Sequence, residues 1–432
     1  MIAALFPLTA IPTMSKACGI DFGTSNSTVG WHGANQPALL ALEGDSTTLP
    51  SVVFFNAEDD KTSFGRAALA NYLAGYEGRM MRSMKSLLGT SLMDGQTEVL
   101  GRALPFRTLL SNFINELKRR AEASAGCRFD RAVLGRPVHF IDGDARADQL
   151  AEDTLRDIAT SAGFREVAFQ FEPIAAAFEH ESRMVSEELV LIADIGGGTS
   201  DFSLVRLGPL RAGRPDRRDD ILGNAGIHVG GTDFDKHLSL SAAMPLLGLG
   251  SRLKNNSEVP SSYYFNLATW HTINLAYTAR VERELKDLYR DVVERDKFDM
   301  LLNLIRDRAG HWLALRMEAG KIALSDAEQT ILDLPKLRPA QTLVLQRERF
   351  EDAICGLTAS VENTVRNLLR NSGVRPEQVQ TVFFTGGASG VPLIRARIAA
   401  AVPDAVKVEG DLFGSVGAGL ALDAARIFGR IN

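Results

Sequence analysis

The chain has 432 residues, of which 45% are hydrophobic and 23% are charged, a composition typical of a globular protein with roughly two to four compact units. Its formal net charge of −5 gives no electrostatic argument for nucleic acid as the main partner. Three widely separated cysteines exclude a disulfide framework, and free thiols favour a cytoplasmic location.

Residues 1–14 are apolar and carry no charged side chain. A secretory signal needs basic residues ahead of its apolar run, and a membrane span needs about 20 apolar residues, so the segment fits neither. We expect residues 1–14 to be either a disordered leader or the result of a start site chosen too far upstream, with Met14 as the functional first residue. No other stretch is long and apolar enough to predict a membrane span.

A strand, a tight turn and a second strand are predicted within residues 17–31. The first strand leads into Asp21, and the turn consists of Gly23 followed by Thr24, Ser25 and Asn26. A glycine turn of this kind lets backbone N–H groups approach an anion closely. The pattern therefore indicates a hairpin with a candidate phosphate site at its turn.

The pattern then changes from strand to helix. Residues 37–42 and 49–55 are predicted as short strands, and a helical period begins at Phe64. Residues 79–89 mix apolar and basic side chains as the ends of helices do. Within them, Lys85 is either a surface lysine or a cation that reaches a phosphate, and the pattern alone favours the surface lysine.

The next elements alternate, with helices predicted at 109–123 and 145–161 and strands at 131–140 and 166–171. Glu172 follows directly and precedes Pro173, so its backbone is expected to be extended and its carboxylate to lie at the mouth of the sheet. The alternative is that Glu172 only stabilises the N-terminus of a helix. The small residues 175–177 would let this helix pack closely against another.

Residues 189–207 repeat the N-terminal pattern. A buried strand leads into Asp194, the turn contains Gly196, Gly197, Gly198 and Thr199, and a second strand begins near Asp201. A carboxylate beside a bound phosphate requires a cation between them, most simply a hydrated magnesium ion. An ordinary glycine-rich hairpin is the alternative. The recurrence favours an internal duplication in which two lobes each present one hairpin to a shared cleft.

The last part of the chain is predicted to be mostly helical. Residues 226–231 are turn-rich with a helix starting at 230–235, residues 246–265 resemble a loop, and residues 278–324 are helical and strongly charged. Glu318 and Lys321 are three residues apart and so share a helix face. They form either a surface ion pair or a pair of side chains that binds a ribose.

A strand at 379–384 is followed by a glycine turn at 385–392 and a helix N-terminus, which is a second place where backbone approaches a ligand. Small residues at 414–420 open the last helix. They resemble the run at 175–177, and we expect the two helices to cross at close range.

Five segments together resemble the actin-like ATPase superfamily, and specifically the nucleotide-binding domain of heat-shock protein 70 (DnaK-type) chaperones. They are GIDFGTSNSTVG, DIGGGTSDFSLV, FEPIAAAF, FFTGGASGVPLI and GSVGAGLAL, and they follow one another between residues 17 and 423. The segments VLGRPVHF and MKSLLG look closest to the YegD-like branch, which lacks the peptide-binding domain. The resemblance implies an α/β fold with two lobes, each a ribonuclease-H-like mixed sheet flanked by helices.

The resemblance also implies domain boundaries. Lobe I would span residues 15–187 with a small subdomain inserted at about 56–125. Lobe II would span residues 188–432 with a helical subdomain inserted at about 240–315. The chain shows no counterpart of the peptide clamp, so the resemblance predicts an ATPase unit without its client-binding device.

Residue roles follow from the same resemblance. Asp21, Glu172 and Asp194 would hold a hydrated magnesium ion, Asp201 would position the attacking water, and Lys85 matches the catalytic lysine. The remaining residues expected to contact the nucleotide are Gly23, Thr24, Ser25, Asn26, Gly196, Gly197, Gly198, Thr199, Gly230, Glu318, Lys321, Gly386, Gly387 and Ala388. The cofactors implied are ATP or ADP and Mg²⁺.

Two positions depart from the family pattern. Gly390 stands where the family has an arginine that stacks on adenine, and Ile322 stands where it has a second basic residue. Both changes fall around the nucleoside and leave the phosphate residues intact. The identity of the base is therefore less firmly predicted than the phosphate and metal sites.

The predicted function is a slow, magnesium-dependent ATPase that acts as a nucleotide-driven switch, with an unknown protein partner or client and with neither nucleic acid nor membrane as partner. Three alternatives remain open: a nucleotide sensor that does not hydrolyse ATP, a filament-forming actin-like protein, and a small-molecule kinase. The sequence shows no separate base for a kinase acceptor hydroxyl, and Lys85 argues against the sensor.

Overall fold

The computed structural model describes residues 16–32, 38–141, 143–181, 184–212, 218–410 and 414–429. The predicted leader, residues 1–14, lies outside the described residues. None of the helices found in these ranges combines the length and the apolar character that a membrane crossing requires.

The strands are β1 (Lys16–Phe22), β2 (Asn26–Gly30), β3 (Thr48–Pro50), β4 (Val52–Asn56), β5 (Thr62–Phe64), β6 (Gly78–Arg82), β7 (Gln96–Val99), β8 (Arg102–Pro105), β9 (Phe129–Arg136), β10 (Glu166–Phe171), β11 (Glu188–Ile195), β12 (Ser200–Leu207), β13 (Ile221–Ile227), β14 (Gln329–Leu334), β15 (Gln341–Gln346), β16 (Thr381–Thr385) and β17 (Val406–Glu409).

The helices are α1 (Gly65–Leu73), α2 (Phe106–Ala125), α3 (Ala145–Ser161), α4 (Glu172–Glu181), α5 (Pro209–Ala212), α6 (Gly231–Leu238), α7 (Ser262–Ala268), α8 (Ala279–Leu288), α9 (Arg295–Arg306), α10 (Gly310–Asp326), α11 (Arg347–Asn371), α12 (Pro392–Ala401) and α13 (Ser415–Phe428).

Two five-stranded sheets among the described residues have the same topology. Their strand orders are β10-β9-β1-β2-β3 and β17-β16-β11-β12-β13. In each sheet three consecutive antiparallel strands are followed by two parallel ones, since β9 and β16 run parallel to β1 and β11. The registers also correspond, because Asp21 pairs with Thr28 and Asp194 pairs with Asp201. The predicted fold class and internal duplication are both visible in this topology.

Helices α4 and α13 lie between the sheets and cross at close range, as their small residues predicted. A Cβ atom added to Gly419 would lie 1.7 Å from the carbonyl oxygen of Ala175. Helix α13 also lies directly on lobe I, where a Cβ on Gly19 would lie 2.3 Å from the carbonyl carbon of Leu420. Helix α4 in turn packs its alanines against Val190 and the neighbouring strands of lobe II.

Several predicted faces are buried as expected. Leu109 and Phe113 of α2 are buried in the lobe I core, and Ile394 and Ile398 of α12 are buried in the lobe II core. Leu150 of α3 is an exception, since it is 51% exposed. Its helical period is shared with Leu155 and Ile158, but α3 buries a narrower face than the sequence suggested.

Other local predictions fail where distant pairing decides the conformation. Residues 78–82 form strand β6 because they pair with β4, although their composition resembled the end of a helix. Strand β13 occupies part of a stretch predicted as turn, since pairing with β12 overrides its glycines. Helix α7 begins inside the predicted loop at 246–265 and extends three residues beyond it.

We expect Gly419→Ala to lower the free energy of unfolding by about 3 kcal/mol, because the new methyl group would overlap a backbone carbonyl of α4. The matched control is Gly356→Ala at an exposed position of α11, where an added Cβ meets nothing within 4 Å. That change should stabilise the helix by up to about 1 kcal/mol. The midpoints of urea unfolding measure the stability of both variants. Equal midpoints for Gly419→Ala and Gly356→Ala would contradict a close crossing of α4 with α13.

Candidate nucleotide-binding site

The turn of the lobe I hairpin and the turn of the lobe II hairpin face each other and are in contact. A Cβ added to Gly197 would lie 2.5 Å from Ser25 Oγ, and one added to Gly198 would lie 3.1 Å from Thr24 Oγ1. Only residues without side chains allow this approach. The structure therefore brings the two predicted phosphate turns together in one cleft.

The first residues of α6 hold the second turn through backbone hydrogen bonds. The N–H groups of Gly231 and Thr232 donate to the carbonyl oxygens of Gly196 and Gly197 at 2.9 and 2.7 Å. A Cβ on Gly230 would lie 2.7 Å from Gly197, so this predicted residue is in contact with the turn. The carbonyl groups of the turn thus already have protein partners.

The amide groups of the turns are in the opposite situation. Within the described ranges, no residue accepts a hydrogen bond from the N–H groups of Thr24, Ser25, Gly197 or Gly198. Successive backbone N–H groups of this kind form an anion-binding concavity. The arrangement suits a phosphate chain lying between the two turns.

Buried charged side chains adjoin the turns. Lys85 and Glu172 form an ion pair, and both are 8% exposed. Although burial lowers the pKa of the Lys85 ammonium group, the charges of Glu172 and Asp21 raise it above its usual value. The surface-lysine interpretation is therefore wrong, since Lys85 lies inside the cleft.

The neighbouring carboxylates repel one another. Burial and the charge of Glu172 raise the pKa of Asp21 and of Asp201 to about 7 each. The same two causes raise the pKa of Asp194 well above its usual value. Asp21, Asp194, Asp201 and Glu172 therefore form one electrostatic cluster with a single lysine between them.

This cluster fits a hydrated magnesium ion. Four carboxylates face one ammonium group, so a divalent cation would relieve their repulsion, and Mg²⁺ prefers carboxylate and water oxygens. The described part of the chain contains no three His, Cys, Asp or Glu side chains arranged to ligate an ion directly. The carboxylates Asp21, Glu172 and Asp194 would therefore hold the ion through its water ligands.

Asp201 is oriented from lobe I. The backbone N–H of Val138 donates to Asp201 Oδ1 at 2.7 Å, and Asp201 is 1% exposed. Val138 belongs to residues 137–140, the segment that follows β9, which we call the strap. The sequence did not predict this contact between lobes.

Glu318 and Lys321 lie at the cleft but do not pair with each other. Arg82 of lobe I holds both oxygens of Glu318 at 2.6 Å, and Lys321 contacts Asp235 at 2.9 Å and the carbonyl oxygen of Gly231 at 3.1 Å. Neither Arg82 nor Asp235 stood out in the sequence, because neither belongs to a glycine turn or a motif.

The glycine turn after β16 lies beside the carboxylates. Gly386 has a φ of +80°, and a Cβ there would lie 2.3 Å from Asp194 Oδ1, so the position requires glycine. Gly387 follows in the same turn, and Ala388 Cβ would lie 3.2 Å from a Cβ on Gly231. This turn therefore adjoins both the carboxylate cluster and the start of α6.

The two positions that depart from the family pattern leave open space. Ile322 is 57% exposed, and the nearest group to a Cβ on Gly390 would be Ser325 Oγ at 3.8 Å. A side chain at position 390 would therefore begin in space that no closer atom of the described residues occupies.

An apolar cluster joins strands β4 and β6 and helix α1 to residues between 270 and 314. Its fully or largely buried members are Val52, Phe54, Ala68, Met80, Trp270, Ile273 and Ala314. The Arg82 guanidinium lies 4.4 Å from the centre of the Trp270 ring, and His311 lies 5.7 Å from the same ring. Arg82 therefore contacts both this apolar cluster and Glu318.

The duplicated sheets, the facing glycine turns and the carboxylate cluster define the actin-like ATPase fold. A comparison with protein families agrees, since the family described as Hsp70 protein matches residues 17–243 and 288–426. The chain belongs to the Hsp70 family, whose members bind ATP or ADP. All predicted site residues lie within the matched ranges, whereas Trp270 and Ile273 of the apolar cluster lie outside them.

We expect the free energy of unfolding to fall by about 1.4 kcal/mol for each pH unit below 6.5, in addition to other groups, because of His311. Burial and the charge of Arg79 lower the pKa of His311 to about 3, with Arg82 acting in the same direction. Between pH 6.5 and pH 3 the unfolded chain therefore binds a proton that the folded chain does not.

Urea unfolding from pH 7 to pH 4 measures this slope. The matched control is His311→Gln, which has no titrating group and should show a shallower acid limb even if its stability at pH 7 is lower. Parallel slopes in the two proteins would contradict a buried, neutral His311.

Proposed function

We propose that the chain binds ATP together with Mg²⁺ and hydrolyses it slowly to ADP and phosphate. The observation that supports this most directly is the position of Lys85, which is buried and paired with Glu172 beside two turns with unused amide groups. Phosphoryl transfer to water needs positioning and charge neutralisation rather than covalent participation of the protein. These residues supply both.

Each group has a defined task in this proposal. The N–H groups of both turns bind the phosphates, Lys85 offsets their charge, and Asp201 orients the attacking water. A bound Mg²⁺ would supply further neutralisation of the phosphate oxygens. Asp21, Glu172 and Asp194 would hold it through water, which accounts for the raised pKa values of Asp21 and Asp194 without it.

The nucleoside would lie between the residues near α6 and α10 and the turn after β16. Glu318 would contact the ribose after leaving Arg82, and Lys321 would remain near Gly231. Gly386, Gly387 and Ala388 would line the opposite side. Because the space near Gly390 is open, we propose weaker selection of the base than of the phosphates.

We further propose that nucleotide state changes the relative position of lobes I and II, with boundaries at residues 187 and 188, and that a protein partner or client responds to it. The contacts that would change are those between lobes, namely Arg82 with Glu318 and Val138 with Asp201. The three free cysteines support a cytoplasmic location.

Calorimetric titration with ATP, ADP and GTP, with and without Mg²⁺, tests binding. We expect Mg²⁺ to tighten ATP binding to the wild type, and Asp194→Asn to reduce that magnesium effect at least about tenfold, since it removes a charge from the proposed ion site. An ATP affinity that is the same in both proteins would refute the assigned site.

Release of inorganic phosphate without an added acceptor distinguishes hydrolysis from the kinase and sensor alternatives. We expect Lys85→Met to lower kcat by about a hundredfold or more, as loss of a charge that stabilises the transition state does. Lys61→Met, which changes an exposed lysine, is the control. ATP-dependent light scattering would instead indicate a filament-forming protein.

A further inference from the structure

Arg136 lies at the end of β9 and is 8% exposed. Its Nε donates to the carbonyl oxygen of Pro137 at 3.1 Å, and its Nη2 donates to that of Val138 at 3.3 Å. A single guanidinium group thus holds two successive carbonyl groups of the strap.

The same guanidinium is fixed to α3 and to two aromatic rings. It contacts Asp148 at 2.6 Å and Glu152 through its other terminal nitrogen. It lies 5.1 Å from the centre of the Phe140 ring and 5.3 Å from that of Phe171. Asp148 also accepts a hydrogen bond from the Phe140 N–H at 2.6 Å, so both ends of the strap are tied to α3 through this network.

The strap reaches lobe II through a backbone hydrogen bond. With its carbonyl group held by Arg136, Val138 directs its N–H to Asp201 Oδ1 at 2.7 Å. Gly226 of β13 leaves room for this approach, since a Cβ there would lie 2.9 Å from Asp201 Oδ1 and 3.6 Å from Val138 Cβ. Asp201 is thus held by the strap from lobe I, through the Val138 N–H, as well as by the side chain of Thr199 in its own hairpin.

We propose that Arg136 is a positioning residue for ATP hydrolysis: it fixes the strap so that the Val138 N–H orients Asp201 toward the attacking water. This inference rests on the proposed ATPase function. Arginine is required because its planar fork donates in several fixed directions at once, whereas a lysine ammonium has no such geometry.

Kinetics of ATP hydrolysis in variants of Arg136 test the proposal. We expect Arg136→Met to lower kcat roughly tenfold to a hundredfold, the usual cost of displacing a positioned group by about 1 Å, with little change in KM. KM should hold because neither glycine turn contacts Arg136. Compared with Arg136→Met, Arg136→Lys should restore the stability of the protein, because it keeps a positive charge near α3. It should not restore kcat, because a lysine does not hold both carbonyl groups of the strap.

Arg156→Met is the matched control. Arg156 shares Glu152 with Arg136 and lies 4.7 Å from the Phe169 ring, but it contacts no residue of the strap. Its loss should leave kcat unchanged. A wild-type kcat in Arg136→Lys, or an equal loss in Arg156→Met, would show that Arg136 only stabilises α3.

Val138→Pro removes the N–H group but keeps the Arg136 side chain and the carbonyl group at position 138 that it binds. If both residues act through the same hydrogen bond, the double variant Arg136→Met with Val138→Pro should be no slower than the slower single variant. Additive losses in kcat would overturn the proposal.

Amide hydrogen exchange at Val138 needs no nucleotide and so separates this inference from the ATPase itself. We expect exchange in Arg136→Met to be at least about tenfold faster than in the wild type and in Arg156→Met, because the local opening is no longer restrained. Unchanged exchange refutes the role of Arg136 even in an active ATPase. If Val138 exchanges faster in Arg136→Met but the wild type does not hydrolyse ATP, the proposed ATPase function is refuted. The proposed catalytic role of the strap is then refuted with it.

Discussion

The contact between a glycine turn without side chains and the hydroxyl side chains of the facing turn is the constraint on which the rest of the structure depends. Gly197 and Gly198 can lie against Thr24 and Ser25 only because no Cβ intervenes. Duplicated sheets deliver one turn from each lobe, and the crossing of α4 with α13 holds those sheets at the required separation. Because the carbonyl groups of the second turn bind α6, its amide groups face the cleft. The fold thus prepares a site for a polyanion before any ligand is present.

The charges around these turns oppose stability. Burying Asp194 and Asp201 beside Asp21 and Glu172 disfavours the ionised forms, as the raised pKa values of the three aspartates show. One lysine offsets only part of this repulsion. Groups with strongly perturbed pKa values in a cleft are typical of functional sites, where binding of a cation and an anion supplies what the apoprotein lacks. The cluster is therefore better explained by ligand binding than by folding.

The sequence predicted the parts of the site that depend on local chemistry. Both hairpins, the helix at 145–161 and the strand at 166–171 could be recognised because each has a periodic apolar pattern bounded by glycine or proline. The contacts of Arg82 with Glu318 and of Val138 with Asp201 could not, because each joins residues more than 60 positions apart through ordinary side chains or backbone. The strand β6 was missed for a related reason, since its conformation depends on β4 rather than on its own composition.

Helix α4 belongs to the first half of the chain but covers the second sheet, whereas α13 comes from the end of the chain and covers the first. Each sheet therefore keeps an apolar face uncovered until the helix from the other half arrives. On the ribosome, strand β1 is synthesised long before the helix that shields it, because α13 follows all the strands of both sheets. The first sheet must consequently keep one apolar face uncovered until α13 has been synthesised, and a polypeptide cut between the halves would expose both apolar faces to aggregation.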